Sequence, residues 1–191
     1  MFERGFKTWS EKQSLELRAQ LGKRPIDPLD PRVLAAHLKI RVYAASEVIG
    51  LSAQARRALE ARDAGWSAVT LELPDLQRKV IILNQIHSQR RQSSDLTHEI
   101  AHHLCRHMPA AMQVSKEGLM MLETYSRKEE EEADWLSGCL LLPRPALMHI
   151  KRNLTDQESV LGHYMVSRAM LKYRLDVSGV NYQYSRGTRV G

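Results

Sequence analysis

Five consecutive residues, His98-Glu99-Ile100-Ala101-His102, have the types and spacing for hydrolytic chemistry at a metal ion. Histidines four positions apart lie about one helical turn, about 5.4 Å, from each other, so both imidazoles point the same way and can share one zinc ion. Glu99, beside the first histidine, stands where a carboxylate can take a proton from a metal-bound water. The pattern is short, and in a chain with eight histidines an exposed helical face can carry it by chance. The flanking residues favour a ligand helix. Ser94 or Asp95 can cap its start, Leu96, Ile100, Ala101 and Leu104 form an apolar side, and Pro109 marks its end.

A third ligand must come from another element. Residues 126–143 begin with an acidic turn, Glu129-Glu130-Glu131-Glu132, and continue almost wholly apolar to Pro143. An acidic first turn suits the helix dipole, which accounts for most of these glutamates as solvated surface. At about 100° per residue, Ala133, Leu136, Ser137, Leu140 and Leu141 share one side, and Glu129 and Glu130 project near it. Glu131 and Glu132 point elsewhere. Spacing alone leaves the ligand open between Glu129 and Glu130.

The elements that must hold these helices can be followed along the chain. Residues 10–21 read as an amphipathic helix ended by Gly22, and residues 31–38 as a short helix capped by Asp30 that packs Val33, Leu34 and Leu38. A strand over residues 40–43 and a helix over residues 46–62 follow. Residues 66–73 and 79–83, separated by Pro74-Asp75, form an antiparallel hairpin. An α+β fold results, a small antiparallel sheet with metal-binding helices, as in the minimal zincin-like metallopeptidase core; an edge strand there can pair with an extended substrate. Residues 1–143 make this domain, and residues 144–191 a helical extension packed on it. The extension holds a helix over residues 144–151, a capping box at Thr155-Asp156-Gln157-Glu158, a helix from Arg168 to Asp176 capped by Ser167, and a frayed basic tail from Asn181.

Composition sets the remaining bounds. The chain has 191 residues, enough for one good core, and a formal net charge of +6. Such an excess is compatible with direct nucleic-acid binding, and Arg168, Lys172 and Arg174 lie on the second of two helices with a helix-turn-helix outline. Plain solubility and a packed helical pair are the commoner explanations. Cys105 and Cys139 make no disulfide framework, and the N-terminus lacks an apolar run, so we expect a cytoplasmic protein with reduced thiols and no membrane partner. Cys105, one turn beyond His102, reads as a small core side chain rather than a competing ligand. His103 and His107, one turn apart on a different side of the helix, read as surface histidines, and His37 and His87 as structural ones.

The order His98-Glu99-x-x-His102, then Glu130-x-x-Ala133-Asp134-x-Leu136-Ser137 and Leu140-Leu141-Leu142-Pro143, resembles the ImmA/IrrE family of bacterial metallopeptidases. Ile26-Asp27-Pro28, the strand ending at Asn84, and residues 164–175 extend the likeness over most of the chain. The resemblance implies that Glu130 rather than Glu129 is the third zinc ligand, and that Asp134 is a carboxylate orienting a ligating histidine. It also implies a regulatory endopeptidase whose protein substrate is a helix-turn-helix transcriptional repressor, often encoded on mobile elements or in stress-response systems. Ser93-Ser94-Asp95-Leu96-Thr97 and Leu136-Ser137 depart from the family pattern beside the site and leave the ligands intact.

Three protein ligands leave a fourth position open, the composition of a catalytic zinc site. Candidates for stabilising an oxyanion are His149, His163, Tyr125 and Tyr164, without spacing support. The rival readings are a DNA- or protein-binding regulator that keeps zinc for folding, and a zinc hydrolase acting on a non-peptide amide.

Overall fold

The structure, a computed structural model, describes residues 2–47, 57, 66–73, 78–108, 112–114, 120–122, 125–154 and 156–187. Its elements in chain order are α1 (Phe6–Gln20), α2 (Pro31–His37), β1 (Arg41–Ala44), β2 (Ala68–Leu73), β3 (Arg78–Leu83), α3 (Gln89–Cys105), β4 (Met112–Val114), β5 (Met120–Leu122), α4 (Arg127–Leu141), α5 (Arg144–Asn153), α6 (Gln157–Tyr164), α7 (Arg168–Val177) and α8 (Val180–Gly187). Mixed helices and a small sheet make an α+β fold. The chain divides into two compact units, Pro31–Asp134 and Met1–Asp30 with Trp135–Gly191, so the N-terminal helix groups with the C-terminal helices. The helix expected over residues 46–62 lies largely outside the described residues, and Pro74-Asp75, Pro109 and Thr155 lie outside them.

In the unit Pro31–Asp134, the β-branched run of β3 forms the middle of a three-stranded sheet ordered β1-β3-β2. The expected hairpin is present: β2 runs antiparallel to β3, with Thr70 opposite Ile81. β1 lies on the other side of β3 and runs parallel to it, with Val42 opposite Ile81, so the sheet is mixed. Val80 and Ile82 cluster with Ala45, Tyr43 and Trp66. Ile81 and Leu83, which alternate to the opposite face, are also buried. A strand covered on both faces reads as a continuous apolar run, as this one does. In α2, Leu34 and Ala35 face inward, whereas Val33 is exposed, contrary to expectation. Adjacent positions differ by about 100°, so one turn cannot bury all three.

α3 begins earlier than Ser94. Ser88 is its cap and accepts the Arg91 N–H, and the good helix formers Gln89 to Gln92 extend the first turn. Leu96, Ile100 and Ala101 are fully buried, which fixes the rotation of the helix. The helix ends at Arg106, which adopts the left-handed conformation with φ 60°. The Arg106 N–H returns to His103 O at 3.1 Å and the His107 N–H to His102 O at 3.0 Å. These two bonds form a Schellman turn, here without its customary glycine.

In the other unit, a core of Leu141, Leu142, Leu147, Ile150, Leu161 and Leu171, among others, joins the last residues of α4 to the helices after it. α1 is tied into this unit by polar contacts. Ser14 Oγ donates to Cys139 O at 2.7 Å, and Arg18 Nη2 donates to Leu140 O at 2.7 Å. Burial lowers the Arg18 pKa to about 10, still far above neutrality, so this guanidinium stays charged. Glu11 accepts from Arg174 Nη2 at 2.6 Å and from the Arg144 N–H at 2.9 Å. The second bond caps α5, whose N-cap Pro143 offers no side-chain acceptor.

Arg174, expected as an exposed base, is therefore 0 % exposed and ion-paired. Arg168 pairs with Glu158 and Lys172 with Asp176, both at 2.6 Å. Ser167 caps α7 as expected, accepting from the Met170 N–H. Asp156, the cap of α6, accepts from the Ser159 N–H, one position later than the expected capping box. The segment expected to fray from Asn181 is helical through Gly187. Among the described residues, no helix is long and apolar enough to cross a membrane.

A glycine inside α4 has a packing reason. A Cβ on Gly138 would lie 2.6 Å from Arg174 Cδ, and that side chain is held at Nε by Leu142 O. Alanine would gain about 1 kcal/mol of helix propensity, against about 1–3 kcal/mol for overpacking. Gly138→Ala is expected to lower unfolding free energy in urea by about 1–2 kcal/mol.

Candidate metal centre

All the residues of the site lie in the unit Pro31–Asp134. α3 presents His98 and His102 one turn apart, and their Nε2 atoms converge to 2.9 Å. Glu130, in the first turn of α4, brings Oε2 to 3.1 Å from His98 Nε2 and Oε1 to 3.9 Å from His102 Nε2. Donors bonded at about 2.0–2.1 Å to one tetrahedral ion stand about 3.3 Å apart. The three side chains are thus within small adjustments of a common coordination sphere, and their ligand atoms all lie within 4.8 Å of one another. Two imidazole nitrogens and one carboxylate suit a borderline-soft divalent ion.

Each glutamate of the acidic run has a different partner. Glu129 Oε2 accepts from the Ser126 N–H at 2.9 Å while Ser126 Oγ accepts from the Glu129 N–H at 3.3 Å, a reciprocal capping box. Hydrogen bonding to Ser126 holds the Glu129 carboxyl below its usual range. With Glu129 engaged as a cap, Glu130 is the one that reaches the histidines. Glu131 pairs with Arg127 at 3.0 Å. Glu132, expected to point away, is only 9 % exposed. Its Oε2 lies 3.2 Å from His107 Nε2, because the turn after α3 covers the helix side that had been read as solvent-facing.

His107, expected on the surface, is likewise buried, at 8 % exposure. Continuing the helical period past Cys105 would put it on an outer side, but the left-handed Arg106 turns the chain back and sets His107 Nδ1 2.9 Å from His102 Nδ1. The Tyr125 ring stacks on His102, centroids 3.7 Å apart and planes at 17°. Asp134, one turn beyond Glu130, has Oδ1 3.1 Å from His98 Nδ1.

Electrostatics follow from this packing. Burial, followed by the neighbouring His98 and His107, pushes His102 down to about 3, so its ring is neutral at ordinary pH. Burial also pulls on His98, but its bond to Asp134 and the surrounding carboxylates outweigh this and hold it above the usual histidine range. Glu99 is buried beside the two histidines, and desolvation raises its carboxyl despite a 2.6 Å hydrogen bond from Thr70 Oγ1. A carboxylate with raised basicity is suited to accepting a proton. Thr70 was not foreseen; it lies on β2, and only the long-range register places it over α3.

Other expectations resolve locally. Burial and then Glu132 push the Cys105 thiol up to about 12, which keeps it protonated and a poor ligand. His87 Nε2 sits 3.3 Å from Ser67 Oγ, a structural contact. Of the oxyanion candidates, Tyr164 donates its hydroxyl to Ile26 O at 2.8 Å and His149 Nδ1 lies 3.0 Å from Asn153 Nδ2, while Tyr125 stacks within the site.

None of the curated proteins matches the chain significantly. The family model for the IrrE N-terminal-like domain, a peptidase family, matches residues 39–176, which include the two histidines, Glu99, Glu130 and Asp134. The order of the elements, the convergence of donors from α3 and α4 and this match agree, and the chain belongs to the IrrE N-terminal-like family of metallopeptidases.

Proposed function

We propose that this protein is a regulatory zinc endopeptidase, working in the cytoplasm, that cleaves a helix-turn-helix transcriptional repressor. The observation that carries the enzymatic reading is the convergence of His98, His102 and Glu130 with Glu99 buried beside them. In this reading the first three hold zinc, Asp134 orients His98, and Glu99 is the general base. A zinc ion held there supplies Lewis acidity toward a carbonyl oxygen and lowers the pKa of water to about 7. Glu99 takes the proton of the attacking water and passes it to the leaving amine. Thr70 holds the carboxylate in place through its 2.6 Å bond. β2 is an edge strand among the described strands and offers an extended peptide a pairing surface above α3.

The substrate class rests on the resemblance of the motifs to the ImmA/IrrE family. The DNA-binding alternative loses support from Arg174, whose charge is buried against Glu11. Co-expression with helix-turn-helix repressors encoded near the gene tests the substrate, with fragments identified by mass spectrometry. One defined cut, lost in Glu99→Gln, is expected. An identical fragment from the variant, or loss of repression with the repressor intact, would refute the proteolytic reading.

A further inference from the structure

We propose that His107, anchored by Glu132, is a positioning residue that sets the tautomer of His102 and aims its Nε2 lone pair at the metal. The inference rests on the reading of His102 as a ligand. A neutral imidazole has one donor and one acceptor nitrogen, and a ligating nitrogen must be the bare one. Glu132 Oε2 lies 3.2 Å from His107 Nε2, and a carboxylate only accepts, so in a neutral His107 ring the single hydrogen sits on Nε2. His107 Nδ1 is then an acceptor. The 2.9 Å separation between the two Nδ1 atoms therefore places the hydrogen on His102 Nδ1 and leaves His102 Nε2 bare.

That bare nitrogen is the one facing His98 Nε2 at 2.9 Å. His98 differs, because carboxylate oxygens face both its nitrogens, Asp134 Oδ1 at 3.1 Å from Nδ1 and Glu130 Oε2 at 3.1 Å from Nε2. The relay thus gives His102 the tautomer a metal needs. It is sheltered: His102, His107 and Glu132 are 2, 8 and 9 % exposed. Stacking of Tyr125 fixes the His102 ring plane, which makes the Nδ1 contact directional. The reverse polarity, with a hydrogen on His107 Nδ1, would put the His102 hydrogen on Nε2 and block ligation.

Long-range proton–nitrogen correlation on the metal-free full chain, labelled with 15N-histidine, reads the His102 tautomer directly. Hydrogen on Nδ1 is expected in the wild type, and a mixture of tautomers in His107→Phe. Competition with a chromophoric chelator, using zinc sulfate, reads affinity. Outer partners of metal ligands are typically worth about 10–100-fold, so His107→Phe and Glu132→Gln should each weaken zinc by at least about tenfold. His107→Gln, whose amide oxygen can still accept from His102, should recover most of the loss. A His102 hydrogen on Nε2 in the wild type overturns the proposal. So does zinc affinity in Glu132→Gln and His107→Phe within about twofold of wild type while His102→Ala loses the metal. If His102→Ala binds zinc as tightly as wild type, the ligand reading itself falls and takes the relay with it. The wild-type spectrum and Glu132→Gln keep the test intact should His107→Phe fail to fold.

Discussion

Glu99→Gln should lower the rate of peptide cleavage by a factor of about 10² to 10⁴ with metal content unchanged, because in the proposed mechanism it removes the general base and no ligand atom. That factor corresponds to about 2.7–5.5 kcal/mol of transition-state stabilisation. Glutamine has the same shape, and its amide oxygen can still accept the hydrogen bond that Thr70 gives Glu99. The side chain is 8 % exposed, and burial already disfavours its charged form, so the neutral amide should not destabilise the fold. Initial rates of product formation, measured beside zinc per chain, check this. A variant cutting within about threefold of wild type would mean that another group accepts the proton.

Glu11→Ala should cost about 3 kcal/mol of folding stability. Removing one partner of a buried ion pair typically costs about 3–5 kcal/mol because the other charge is left without compensation. The low end applies because the Glu11 side chain is 26 % exposed, whereas Arg174 is at 0 %. Two further contacts go with the carboxylate, the cap on the Arg144 N–H and the acceptor for the Cys139 thiol. Urea unfolding should show an earlier midpoint with an unchanged slope. Glu11→Ala combined with Arg174→Met should be less unstable than the summed single losses, since the two residues interact directly. A loss below about 1 kcal/mol for Glu11→Ala would show that water replaces the carboxylate readily.

What could be read from the sequence was what depends on local period. His98 and His102 share a helix face because they are four apart, and Glu99 follows. The hairpin of β2 and β3 was legible from its alternating β-formers, and Ser167 from its place before a helix. Spacing left Glu129 and Glu130 open, and the structure separates them geometrically: Glu129 forms a capping box with Ser126, and Glu130 reaches the histidines. His107 and Glu132 were not legible, since an arginine in the left-handed region ended α3 where no glycine announced it. Ser88 was not legible as the cap because the apolar period begins only at Leu96, two turns into the helix. Arg174 and Thr70 depend on partners 163 and 29 residues away, distances over which periodicity carries no information.

Zinc per chain, by elemental analysis of purified wild type, Glu129→Ala and Glu130→Ala after supply of zinc and removal of excess, tests the centre of this account. Wild type and Glu129→Ala should each carry about one ion, and Glu130→Ala should lose it, because two histidines alone do not complete the donor set. A wild type that stays empty, or a Glu130→Ala protein that keeps its full complement, would contradict the assignment of His98, His102 and Glu130 as the metal-holding residues.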